Sequence, residues 1–285
     1  MKKNTWNPYA KIAFVLCTVF ASILQSLAVF TAFDATSNYF LNPSWLPVLA
    51  VIFTALGVIF GSIAVFTEEK AHLAGSPFNA KPTVSILASG SISASLPITV
   101  FLFLFQGTPS NSLLTKLLII FATLALIYEI LCLFPPLRAE HSGILTLIGF
   151  STVLLCVVCN AYYYFDVTVE MNAPFKVSLQ MGLLASMVYF TGELRYLLGK
   201  PLPRLYRMLA AWVIALGTLS IPAFFLAFLT KKSDRIDYLA GAILLLGICL
   251  SVCMRMHALR VCSTSDSDAE GTSATDNDTI GKDIV

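Results

Sequence analysis

The sequence predicts an all-α polytopic membrane protein: eight transmembrane helices forming two parallel four-helix repeats, related by a pseudo-two-fold axis along the membrane normal. Three observations predict it. The chain is 57% hydrophobic and only 12% charged, whereas soluble domains carry charge on about a quarter of their residues. Eight apolar runs approach or exceed the roughly 20 residues that a helix needs to cross hydrocarbon. One segment occurs twice, 124 residues apart, keeping Phe66/Phe190, Thr67/Thr191, Glu69/Glu193, Leu73/Leu197, Gly75/Gly199 and Pro77/Pro201 in register. A second landmark follows each copy, Ser95-Leu96-Pro97 and Ser220-Ile221-Pro222, with a slip of one residue. The runs lack the alternating polarity of barrel strands, and backbone polar groups cannot stay unpaired in lipid, so helices are the expected solution.

The first run, about residues 11–33, follows Lys2-Lys3 and could be mistaken for a secretory signal. It exceeds the usual core of about 7–15 residues and has no small-x-small site after it, so a retained helix is expected. The second run, about 45–67, leads to Gly75 and Pro77, and the sixth, about 175–198, to Gly199 and Pro201. Glycine at the C′ position with proline beyond it reads as a helix stop. Glu69 and Glu193 are not explained by that stop, since an acid in the last turns opposes the helix dipole. Solvation, pairing with a base such as Lys70, Arg195 or Arg204, and a functional site all remain open for them.

The third run, about 83–105, is the least greasy, with Ser85, Ser89, Ser91, Ser93 and Ser95 beside Pro97. The seventh, about 205–229, carries Ser220 and Pro222. Proline inside a span frees a carbonyl and bends the helix, and nearby hydroxyls can satisfy it. Matched kinks are also where transporter folds place substrate sites, so Ser93, Ser95, Pro97, Ser220 and Pro222 are candidate ligand or ion residues. Small residues there, at Gly57/Gly61 and at Gly182/Ser186 permit close helix approach, and the second, third, sixth and seventh helices are expected at the bundle centre.

The fourth run, about 113–134, holds Glu129, the clearest ionisable residue at depth, roughly 8 Å above the cytoplasmic end. Its carboxyl could relay protons, bind a cation or hydrogen-bond a neighbouring helix. The fifth, about 143–165, carries Cys156 and Cys159, read as packing thiols, and Tyr162-Tyr163-Tyr164 as an aromatic belt. The eighth, about 236–259, precedes an acidic segment, 263–285, that cannot bury a core and is expected to be disordered. The organisation is therefore a cytoplasmic N-terminus at 1–10, a first repeat at 11–134, a second at 143–259, and the tail.

With the N-terminus inside, 13 of the 18 cations fall on the cytoplasmic side. Both termini are therefore placed in the cytoplasm of a multi-pass cell-membrane protein. The cluster Lys231-Lys232-Ser233-Asp234-Arg235 opposes that rule locally. The three histidines, His72, His141 and His257, map to the cytoplasmic rim and form no facing pair for a haem. There is no P-loop, dinucleotide fingerprint, zinc-protease motif or nucleophile elbow. No catalytic residue, cofactor, metal or nucleic-acid partner is expected.

The span count and His72-Leu73-Ala74-Gly75-Ser76-Pro77 are similar to membrane anchor subunits of the quinol-linked DmsC and NrfD type, a resemblance that carries no residue role across. Two functional classes follow from the residues. One is a non-enzymatic membrane subunit or scaffold whose partners are the bilayer and another membrane or soluble subunit. The other is a transporter or small-molecule-binding bundle with its site between the repeats.

Overall fold

The computed structural model describes residues 6–34, 39–40, 44–68, 76–78, 82–105, 112–134, 142–170 and 173–276. Among them are eight helices: α1 (Trp6–Ala32), α2 (Leu46–Phe66), α3 (Pro82–Phe105), α4 (Ser112–Leu131), α5 (Ser142–Phe165), α6 (Pro174–Leu197), α7 (Pro203–Leu229) and α8 (Ile236–Asp276). Two short strands, β1 (Phe33–Asp34) and β2 (Tyr39–Phe40), pair antiparallel after α1. The protein is an integral membrane protein by the length and composition of its helices: seven of the eight are apolar enough to cross a bilayer unaided.

The exception is α6, which carries Lys176, Gln180, Glu193 and Arg195. Its two most deeply placed charges do not meet lipid. Lys176 is 1% exposed and Glu193 is 1% exposed, so both charges are enclosed by protein and the helix remains compatible with a crossing.

Local sequence rules set the helix ends. α2, α6 and α7 each have proline in the first turn, where the missing N–H has no helical partner anyway. Gly199 ends α6 with φ of +68°, and the Lys200 amide reaches back to the Arg195 carbonyl at 3.0 Å. This is the left-handed stop expected from glycine. Its counterpart Gly75, like Glu69, lies outside the described residues.

The helices α3 to α8 form a ring in which each packs on the next and α8 returns against α3. The α1–α2 hairpin docks outside this ring on α7. The arrangement is thus two helices beside six, and it differs from the expected pair of four-helix units. A two-fold along the normal would carry the extensive α3–α8 contact onto α7–α4, and the α2–α7 contact onto α6–α3. Neither counterpart is extensive among the described residues. The physical reason lies at close approaches made by small residues. Ser91 and Ser95 of α3 sit against Gly247 of α8, with the Ser91 hydroxyl on the Gly247 carbonyl at 3.1 Å. Gly61 of α2 meets Ala211 of α7 and Phe14 of α1.

The bundle centre also differs from expectation. In α8, 67% of the apolar window is buried, against 33% in α2 and 39% in α3. Leu245 fills the ring by lying against Gly182 of α6 and Gly217 of α7. The backbone of α8 continues to Asp276, into the acidic segment. A helix already nucleated in the membrane gains one hydrogen bond for each residue it adds.

Candidate functional site

The end of the ring where α4 and α6 finish is filled by charge. Glu129 of α4, Glu193 of α6 and Arg255 of α8 come from alternate helices of the ring and meet inside it. They are 0%, 1% and 4% exposed. Arg255 Nη2 lies 2.8 Å from Glu129 Oε2, and its other terminal nitrogen pairs with Glu193 Oε1. The Tyr128 hydroxyl donates to the same Glu193 oxygen at 3.1 Å. Ser89 of α3 lies beside the Glu129 carboxyl, and the guanidinium stands over the Phe78 ring, 5.7 Å from its centroid. Next to it the hydroxyls of Tyr189 and Tyr206 hydrogen-bond each other, with their rings stacked at 4.9 Å.

This clasp holds one cation between two carboxylates, so one negative charge has no partner within it. Glu193 Oε2 is buried without a hydrogen bond. The neighbouring clasp has the opposite imbalance: Glu68 Oε2 accepts from Arg207 Nη1 at 2.7 Å and Glu68 Oε1 from Lys11 Nζ at 3.2 Å. It ties the α1–α2 hairpin to α7. Together the two clasps set three carboxylates against three cations at one end of the bundle, which lowers the cost of holding them away from water.

The opposite end of the ring has its own clasp. Arg235 Nη2 is 2.6 Å from both Asp166 Oδ2 and Asp237 Oδ2. Lys176 donates to the carbonyls of Asp166 at 2.7 Å and Val169 at 3.1 Å. Burial pushes the Asp166 carboxyl up, but hydrogen bonds from the Thr168 side chain and amide, then the Arg235 charge, outweigh it and hold it below its usual value. Burial alone would lower Arg235, yet hydrogen bonding and attraction to Asp237, then to Asp166, leave it raised. Lys232 donates to the carbonyls of Val29 and Phe30 at 3.0 and 2.8 Å, capping α1. Of the cations that opposed the positive-inside pattern, Lys232 and Arg235 are therefore engaged with the protein itself, while Lys231 is exposed. Tyr162 and Tyr163 also turn inward, the latter donating to the Asp237 carbonyl at 2.8 Å, while Tyr164 stays exposed.

The proline landmarks do not join the charged clasp. Ser95 is buried and donates to the Ile92 carbonyl at 2.9 Å. Ser220 donates to the Leu216 carbonyl at 3.3 Å. Ser93 and Pro222 are half-buried, and Pro97 is exposed on the outer surface of α3. Between them run the packed apolar side chains of the ring, among them Leu183, Leu244, Leu245 and Ile248.

Of the candidates, the structure brings Glu129 and Glu193 together and leaves the serines and prolines apart. It adds Arg255, which sequence reasoning had counted as an ordinary cytoplasmic cation, and Glu68 with Arg207. The available signal was position: Arg255 falls inside the last apolar run, four residues before its expected end, and so is nearly as deep as Glu129.

A separate groove of about 710 Å³ opens between α2 and α6, with α7 and Gln25 of α1 behind it. No protein-family model, curated protein or solved structure matches the chain.

Proposed function

We propose that this integral membrane protein is a non-enzymatic membrane subunit or scaffold, seated in the cell membrane with both termini in the cytoplasm. The observation that supports this reading most is the clasp of Glu129, Glu193 and Arg255. The ionisable side chains at membrane depth are spent on tying α4, α6 and α8 to one another. The hydroxyls at the proline kinks are likewise spent on neighbouring backbone. A permeation path needs such groups facing water or a substrate, whereas here the charges face other helices and the hydroxyls of Ser95 and Ser220 bond to their own helix backbone. A bundle whose buried charges tie its own helices together suits holding a partner in the membrane.

The test is purification from native membranes in mild detergent. A second polypeptide recovered in fixed stoichiometry supports the reading. A chain recovered alone, together with proton or cation flux in reconstituted vesicles that Glu129→Gln abolishes, would overturn it.

A second reading, a small-molecule-binding bundle, is favoured by the groove between α2 and α6, which lies between the two halves of the chain. A common origin for those halves is proposed on the matching residues 66–77 and 190–201 alone.

A further inference from the structure

We infer that the lateral groove between α2 and α6 is a binding site for an uncharged, membrane-soluble alcohol, whose hydroxyl donates to the side-chain carbonyl of Gln25. This rests on the small-molecule reading above and names its ligand class. Gln25 sits in α1 at 4% exposure, lines the groove, and has its Oε1 buried without a hydrogen-bond partner. A buried amide oxygen left unpaired in an apolar setting is costly, so a donor arriving from the groove is favoured there. The other polar lining groups are already engaged. The Thr54 hydroxyl donates to the Ala50 carbonyl at 2.8 Å, the Ser178 hydroxyl to the Phe175 carbonyl at 2.9 Å, and the Trp212 indole to the Ser62 hydroxyl at 3.0 Å.

Three further features define the ligand. Among the described residues no Asp, Glu, Lys or Arg lines the groove, so a charged headgroup would enter unpaired. The rim is exposed and apolar, with Val51 58%, Ile59 51% and Met181 47% exposed, while Thr54 and Leu219 on the floor are 4% and 6% exposed. The mouth therefore faces the bilayer, and the ligand enters from hydrocarbon. A volume of about 710 Å³ lies within the roughly 300–1,000 Å³ range of small-molecule sites.

Trp212 at the back of the groove supplies the readout. With Trp6 and Trp45 replaced by Phe, its fluorescence in lipid nanodiscs is titrated with a long-chain alcohol brominated on its tail, and in parallel with the O-methyl ether of that alcohol. The ether keeps the shape and loses the donor. The alcohol is expected to quench saturably at an about fivefold lower mole fraction than the ether, the worth of one ordinary hydrogen bond. Gln25→Leu should erase that difference and leave the ether curve in place. Ala55→Phe, which narrows the mouth, should abolish saturable quenching by both. Equal potency of alcohol and ether in the parent protein overturns the hydroxyl recognition while a saturable curve keeps the groove as a small-molecule site. Quenching that rises linearly with both probes overturns the site and the small-molecule reading together.

Discussion

Replacing Arg255 by methionine removes the only cation that touches both Glu129 and Glu193 among the described residues, and leaves two carboxylates in a protein interior. With exposures of 0%, 1% and 4%, solvent cannot screen the loss. Breaking a buried ion pair by deleting one partner costs about 3–5 kcal/mol. At about 2–4 °C for each kcal/mol in a chain of this order of size, the apparent Tm should fall by roughly 6–20 °C. Because membrane proteins often unfold irreversibly, variants must be compared at one scan rate in one detergent. The charge count makes a sharper forecast. Glu129→Gln leaves Arg255 matched one-to-one with Glu193 and keeps a hydrogen-bonding group in place, so it should stay within about 1 kcal/mol of the parent. The triple variant Arg255→Met, Glu129→Leu, Glu193→Leu replaces the set by apolar groups and should recover most of the loss. The reasoning is refuted if Arg255→Met melts within about 2 °C of the parent, or if the single and triple variants lose stability equally.

Two other predictions probe packing and the Asp166–Arg235–Asp237 clasp. A Cβ at Gly247 would lie 2.6 Å from Ser95 Cβ and 2.9 Å from the Ser91 carbonyl oxygen, whereas one at Gly90 meets nothing within 4 Å. Gly247→Ala should therefore cost about 1–3 kcal/mol by prising α8 from α3, and Gly90→Ala should be neutral or slightly stabilising in the same melts. Asp166 has a folded-state pKa below its usual 3.8. Its contribution is fully present above that value and is lost as pH falls through the lower, folded-state one. Thermal melts between pH 6 and 2 should show a steeper acid decline in the parent than in Asp166→Asn, and parallel curves would contradict the assignment.

The crossings were legible in the sequence because run length is a property of one helix and the bilayer. Even α6, which carries Lys176, Gln180, Glu193 and Arg195, was visible as residues 175–198, and its Gly199 stop was visible as a glycine two residues before Pro201. The choice of neighbours was not legible. Eight runs of similar leucine, valine and phenylalanine content do not say which faces fit, and the closing of α8 on α3 turns on Gly247 meeting Ser95. Ser95 was read as a candidate ligand because polar groups in spans are costly, yet its small size is what the contact uses. Glu129 and Glu193 were found by the same cost argument. Their shared partner Arg255 was missed because counting cations for orientation treats every arginine near a helix end as interfacial.

The proposed eight-helix bundle requires α6 to cross the bilayer despite its charges, with protein rather than lipid around them. Val167, which is 92% exposed, and Leu198, which is 55% exposed, flank the two ends of α5–α6 and α6–α7 respectively. Cysteines placed singly at these positions, in intact cells and read against the unsubstituted chain, should react oppositely with a membrane-impermeant thiol reagent. Val167→Cys should label from outside, and Leu198→Cys only after the membrane is opened. Labelling of both from the same side would contradict the crossing and with it the eight-helix bundle.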